Sequence, residues 1–183
     1  MHAKDNIVII YAAGIVVLII SLFIDQKLVI KSMDFRFAVM DSIMKVVTSS
    51  WTVIIFAAIM FLILLKKKKA LILGISAVSS FAIGSALQML IARPRPSIDS
   101  LVSISAYSMP STHAITLFAM LPILHKEYPK LLWVWLLVMI LISFSRFYVG
   151  VHYVSDLVSG AMIGYLIGLA VLWLNKKYNF GAF

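Results

Sequence analysis

The residues of this chain that could do chemistry lie in three short stretches. Ser145 to Asp156 reads Ser-Arg-Phe-Tyr-Val-Gly-Val-His-Tyr-Val-Ser-Asp and sets Arg146, His152 and Asp156 between two long apolar runs. Ionisable groups near a bilayer are costly, so they are functional candidates by default. His152 and Asp156 are four positions apart. On a helix that spacing puts both on one face, about one turn from each other. The aspartate can then accept a hydrogen bond from one ring nitrogen and leave the other free as base or nucleophile. The plainer alternative is an ion pair that ends a helix. The other two stretches are Pro110-Ser111-Thr112-His113, leading into an apolar run, and Arg93-Pro94-Arg95-Pro96. A helix opening on Ser111, Thr112 and His113 offers free backbone N–H groups and its positive end to an anion. Arg93, Arg95 and Arg146 match phosphate oxygens bidentately. Two histidines with such a cradle suit a double displacement, in which one attacks phosphorus and the other protonates the leaving oxygen. There is no acidic cluster of the kind magnesium or calcium needs. Two histidines and an aspartate could hold zinc, but neighbouring arginines would repel it.

Composition says where such a site must sit. Of 183 residues, 63% are hydrophobic and 13% charged, too apolar for a soluble domain of this length. Several runs approach or exceed the roughly 18–20 apolar residues that cross a bilayer. The expected fold is an all-α, polytopic membrane bundle of about six transmembrane helices, forming one domain over residues 1–183. The chain has no cysteine, which excludes disulfides and thiolate metal sites. The net charge of +9 fits basic cytoplasmic loops and attraction to anionic lipid rather than a nucleic-acid partner.

In chain order, Asn6 to Ile24 is the first span, preceded by Lys4. It is too long for a signal-peptide core and no small-residue cleavage site follows, so it reads as retained. Asp25 to Lys45 mixes charges with Phe35, Phe37, Val39 and Met40, giving an interfacial helix or a solvated loop. Val46 to Leu65 is the second span, stopped by Lys66 to Lys69. Ala70 to Ala92 is the third, where Ser76, Ser80, Gly84 and Gln88 form a small, polar ridge that should face the bundle. Arg93-Pro94-Arg95-Pro96 ends it, because proline disfavours helical geometry in the residue before it. The apolar run Ala114 to Leu124 is only about 17 Å long at helical rise, against a core of roughly 30 Å. Either that helix takes in polar residues at its ends, or His113 lies below the headgroups. Leu131 to Phe144 or Val149 is the fifth span, with Trp133 and Trp135 near one interface. Val154 to Leu174 is the sixth, where Gly160, Gly164 and Gly168 imply close packing on another helix. His125 reads as interfacial, His2 as a solvated terminus, Asp99 as loop, and Tyr148 and Tyr153 as packing or pocket lining.

Six spans put both termini on one side with Lys4, Lys66 to Lys69, Lys126, Lys130, Lys176 and Lys177. With the three site arginines set aside, the other side has Lys27, Lys31, Arg36 and Lys45. The basic excess makes the first side cytoplasmic. The chain is thus expected in the plasma membrane, both termini cytoplasmic and the three polar stretches together on the outer face.

Arg95-Pro96, then Pro-Ser-x-His, then Ser-Arg-x-x-x-Gly-x-His-x-x-x-Asp resembles the three signature motifs of the type 2 phosphatidic acid phosphatase superfamily, which includes membrane lipid phosphatases and soluble vanadium haloperoxidases. The resemblance covers about residues 88–156, and its third motif is the specific one. It implies a lipid phosphate substrate and no cofactor or metal. His152 would be the nucleophile, Asp156 would orient its ring, and His113 would be general acid and then base. Arg95, Arg146 and Ser111 would hold the phosphate oxygens, helped by the N–H groups of Thr112 and His113. Two positions depart from the pattern. Gln88 stands where the family has lysine, with Arg93 near enough in sequence to supply part of the lost charge. Thr112 stands where glycine is favoured, and a threonine does not readily adopt positive φ. Hydrolysis of undecaprenyl diphosphate, phosphatidylglycerol phosphate or phosphatidic acid is the activity implied. Phosphotransfer to another acceptor, and lipid-phosphate binding without catalysis, stay open beside it.

Overall fold

The computed structural model describes residues 3–65 and 69–180. His2 and Lys66, Lys67 and Lys68 lie outside the described residues, as does the side chain of Lys4. Among the described residues all regular structure is helical: α1 (Ala3–Ser32), α2 (Ala38–Val47), α3 (Ser50–Leu65), α4 (Ala70–Ile91), α5 (Thr112–Glu127), α6 (Leu132–Tyr148) and α7 (Val154–Tyr178), with short 3₁₀ turns at Met33–Phe35 and Pro129–Leu131. Four of the segments are long and apolar enough to cross a membrane: Val8–Phe35, α4, Pro129–Tyr148 and α7. The pair α2 and α3, bent by 51° at its break, makes a fifth when taken as one span. α5 is shorter, and its 16 residues rise about 24 Å.

α5 is the centre of the bundle. It packs on α7, α4 and α6, and α1 lies along α7. Between Ala114 and Leu124 every residue of α5 but Phe118 is buried. A helix apolar on all sides is buried on all sides, and one wrapped in protein need not match the lipid thickness. Its ends do take in polar residues, Thr112 and His113 at one and His125 to Glu127 at the other. α1 is the opposite case. Val8, Ile9, Ile15, Val16, Phe23 and other large apolar side chains along it are exposed, as suits a helix whose outer face meets lipid.

The inward ridge of α4 forms as its spacing predicts: Ser76, Ser80, Gly84 and Gln88 are all buried, and Ser76 Oγ donates to the Ala119 carbonyl at 2.8 Å. The glycines of α7 meet α5 directly. A Cβ on Gly160 would stand 2.8 Å from the Ser111 carbonyl oxygen, and one on Gly164 or Gly168 would collide with the carbonyls of Ile115 or Ala119.

Two expectations need correction. The first helix does not stop at Ile24 but continues two turns to Ser32, because Val29 is fully buried and Asp25 finds partners inside the bundle. Only the latter part of the Asp25–Lys45 stretch is therefore a surface helix. That part is α2, with Met44 turned inward and Val39, Ile43 and Val46 exposed. Trp133 and Trp135 both lie near the start of α6; Trp133 is exposed and Trp135 is buried against Phe56.

Candidate active site

The three polar stretches meet at one end of the bundle. Ala92, left-handed at φ 49°, closes α4, and the chain leaves as an irregular loop from Arg93 to Ser111. The loop is tied down at its base: Ser108 N–H donates to the Arg93 carbonyl at 2.9 Å, and Ser108 Oγ donates to Pro94 at 3.0 Å. Gln88 reaches from α4 to donate to the Pro110 carbonyl at 2.9 Å, which fixes the turn into Ser111. Ser111 caps α5, and its N–H donates to the Asp156 carbonyl at 3.0 Å. The starts of α5 and α7 are thus pinned together.

His152 does not share a helix with Asp156. It lies in the link from α6 to α7, and Asp156 sits in the first turn of α7. The pairing is still made. Nδ1 of His152 lies 3.4 Å from Oδ2 of Asp156, long for a hydrogen bond but aimed at a buried carboxylate. That Oδ2 also accepts from the Tyr153 N–H at 2.8 Å. Nε2 faces the other way, 3.3 Å from Nη1 of Arg95. Arg95 is held over the ring by donating to the Val151 and Ala106 carbonyls, each at 2.6 Å. Arg146 comes up from α6 and donates to Thr48, to its carbonyl at 2.9 Å and its hydroxyl at 3.0 Å. His113, in the first turn of α5, lies within electrostatic reach of Arg146, His152 and Arg95.

The unmet polar atoms mark the centre of this cluster. Ser111 Oγ, His113 Nε2 and Arg146 Nε are all buried without a hydrogen-bond partner in the protein. Buried polar groups are nearly always satisfied, so three orphans among groups of one cluster, one of them on a guanidinium, make it a candidate anion site. The first N–H groups of α5 add to it. Burial pushes His152 down from the ordinary imidazole value to about 4, with Arg146 and Arg95 acting in the same direction and Asp156 opposing them. Burial likewise lowers Arg95, again against the pull of Asp156. Among the described residues no three of His, Asp and Glu gather as a metal cluster.

Arg93 is placed differently from the other arginines. It donates to Asp156 Oδ1 at 2.8 Å, to Asp25 Oδ2 at 3.0 Å and to Ser155 Oγ at 2.6 Å, and it lies over the Tyr153 ring at 4.2 Å. Its charge is already met by two carboxylates behind the histidine. Thr112 opens α5 with its methyl toward Gly84. Sequence reasoning missed Asp25 and Thr48. Asp25 carried a signal, as an acid followed by Leu28, Val29 and Ile30 that carry the apolar pattern onward. Thr48 carried none. Asp99 contributes its carbonyl to Arg36, Tyr148 donates to Asp41, and His125 is exposed at the far end of α5.

The sequence pattern of the PAP2 superfamily matches residues 69–180. This chain belongs to the PAP2 superfamily. It is similar to the bacitracin transport permease protein BcrC of Bacillus licheniformis, 36% identical over 73 residues that make up 40% of this chain and 36% of that one. It is also similar to phosphatidylglycerophosphatase B of Bacillus subtilis, 29% identical over 106 residues, 52% of each chain. The chain thus spans about a third to a half of the length of these curated relatives. Two solved structures superpose over most of it. The transmembrane phosphatidylglycerolphosphate phosphatase of Bacillus subtilis does so with a TM-score of 0.72 and 21% identity, over 91% of this chain and 96% of that one. LpxE of Aquifex aeolicus gives 0.71 and 24% identity, over 82% and 95%. At such identities the likeness bears on the fold, and the PAP2 membrane bundle is the fold seen here.

Proposed function

We propose that this PAP2 protein is an integral membrane lipid phosphatase working through a phosphohistidine. The reading treats residues 1–183 as one domain with its motif core at 88–156. The observation that carries it is the set of orphaned atoms on Ser111, His113 and Arg146 beside the His152 ring.

A phosphate group fits that set as follows. Arg95, Arg146, Ser111 and the N–H groups of Thr112 and His113 bind its oxygens, with charge-assisted hydrogen bonds from the guanidinium groups. Nε2 of neutral His152 attacks phosphorus while Asp156 holds the proton on Nδ1. As the P–N bond forms, the P–O bond to the lipid breaks, and His113 gives its proton to the leaving oxygen. His113 then takes a proton from water, the water oxygen attacks phosphorus, the P–N bond breaks and inorganic phosphate leaves. Gln88 supports the Pro110–Ser111 turn, and Arg93 holds Asp156. No metal takes part in this scheme. The substrate class is a lipid phosphomonoester or diphosphate reached from the bilayer, and the site faces outward from the plasma membrane with both termini in the cytoplasm.

The test is phosphate release in detergent from undecaprenyl diphosphate, phosphatidylglycerol phosphate and phosphatidic acid, with and without chelator. Turnover of at least one lipid, unchanged by chelator and reduced by about a thousandfold or more in His152→Ala, is expected. Strong chelator sensitivity would count against the scheme. A second reading, a lipid-phosphate binder serving transport, is favoured by the likeness to the bacitracin transport permease protein of Bacillus licheniformis. Turnover that vanishes in His113→Ala would rule it out.

A further inference from the structure

Behind the nucleophile, on the side away from the anion site, four charged or polar groups form a continuous line that ends on α1. Asp25, only 3% exposed, uses both carboxylate oxygens. Oδ1 accepts from the Ser155 N–H at 3.1 Å. Oδ2 accepts from Arg93 at 3.0 Å and from the Ser155 hydroxyl. Arg93 passes the line on to Asp156 Oδ1 at 2.8 Å, and Asp156 faces His152.

Three physical consequences follow. First, Ser155 is in the opening turn of α7, where N–H groups lack intrahelical partners. Asp25 therefore caps α7 from another helix and adds a negative charge at its positive end. Second, Asp156 is fully buried, with Arg93 on one oxygen and the Tyr153 N–H on the other. Its orientation toward the ring is set by the arginine that Asp25 holds. Third, Arg93 paired with Asp156 alone would make a neutral pair. With Asp25 the unit carries one net negative charge, which is what a ring gaining positive charge during attack needs behind it. Around the ring on its other sides stand Arg95, Arg146 and His113, and among the described residues no carboxylate besides Asp156 acts on it.

We propose that Asp25 is a positioning residue for the His152 nucleophile, acting through Arg93 and Asp156 to aim the ring and to keep the group behind it negative. The inference rests on the phosphohistidine reading of the site for its effect on rate, but its effect on the ring does not need turnover. Asp25→Asn keeps the size and an acceptor for Ser155 while removing the charge. Asp25→Glu keeps the charge.

The experiment compares wild type, Asp25→Asn and Asp25→Glu by phosphate release from the lipid that the wild type turns over, and by 15N spectra of histidine-labelled protein with His152 assigned through His152→Ala. The expected result for Asp25→Asn is a kcat about tenfold to a hundredfold lower, the range of a slightly misplaced catalytic group. KM should hold, and the His152 ring signal should move away from the tautomer protonated on Nδ1. Asp25→Glu should recover part of kcat and of the ring signal. Folded Asp25→Asn with wild-type kcat and an unmoved ring signal overturns the proposal. So does a loss confined to KM or thermal stability with the ring unmoved, which would make Asp25 a structural cap only. If the wild type turns over none of the lipids, the phosphatase reading fails, and the ring signal decides this proposal on its own.

Discussion

At the scale of single residues, the nucleophilic role proposed for His152 depends on its staying neutral. An unfolded chain takes up a proton on imidazole near 6.5, whereas burial holds the folded ring down to about 4. Between those values the unfolded state binds more protons. The stability that this group contributes is therefore full above about pH 6.5 and is lost as pH falls toward 4. Two measurements check this. The His152 15N signals should report a neutral ring at pH 5.5, and the melting temperature in detergent should fall less between pH 7 and pH 4.5 in His152→Gln than in the wild type. A ring that titrates near 6.5 would refute the burial argument. Gln88 gives a second prediction. It donates to Pro110, so Gln88→Ala frees the turn before Ser111, at about 1 kcal/mol for the lost hydrogen bond. A several-fold lower kcat/KM is expected, with the larger share in KM because the anion-binding cap is loosened. The polar residues that gather at this end of the bundle were legible in the sequence, since Arg, His and Ser in grease announce themselves by type. Their supports were not. Asp25 meets Arg93 from 68 residues away and Thr48 meets Arg146 from 98 away, and only the folded bundle makes such pairs.

At the scale of elements, small residues decide how near α5 and α7 come, and hence where Ser111 stands relative to Asp156. Gly164→Ala would push a Cβ into the Ile115 backbone carbonyl, whereas a Cβ on Gly74 meets only the Phe61 ring at 3.8 Å. Gly164→Ala is expected to cost about 1–3 kcal/mol of overpacking and to lower activity along with the melting temperature. Gly74→Ala should be neutral or stabilising by up to about 1 kcal/mol. Equal behaviour of the two in thermal unfolding would contradict the close α5–α7 packing. The spacing of four in Gly160, Gly164 and Gly168 revealed this seam, as did Ser76, Ser80, Gly84 and Gln88 on α4, because a period near one helical turn is a property of sequence. Helix ends were less legible. α1 outruns its apolar run because Asp25 is neutralised by Arg93, and a lone acid looks like a boundary until its partner is known. The same limit applied to His152 and Asp156. Their spacing suggested one helical face, but α7 starts at Val154, and the two meet across a helix start.

At the scale of the whole molecule, the loop Arg93–Ser111 and the α6–α7 link share one end of the bundle, and the turn at Pro129–Leu131 lies at the other. The absence of cysteine makes sidedness directly measurable. Ser103→Cys and Lys130→Cys both replace exposed residues. An impermeant maleimide added to intact cells is expected to label Ser103→Cys and to reach Lys130→Cys only after lysis; the reverse pattern would invert the proposed orientation. The helical, membrane-spanning character was legible because hydropathy reveals it; four or five segments are long and apolar enough to cross, and α5 needed the bundle around it to explain its length. That helix has a consequence for how the protein is made. With His113 at one end, His125 and Lys126 at the other and Pro122 between, α5 is a poor substrate for solitary insertion by the translocon. It should enter together with α6 as a hairpin. A reporter fused after Glu127 is then expected in the wrong compartment in a large fraction of chains, while one fused after Tyr148 is sorted uniformly, so biogenesis of the end that carries His113 waits on a helix synthesised later.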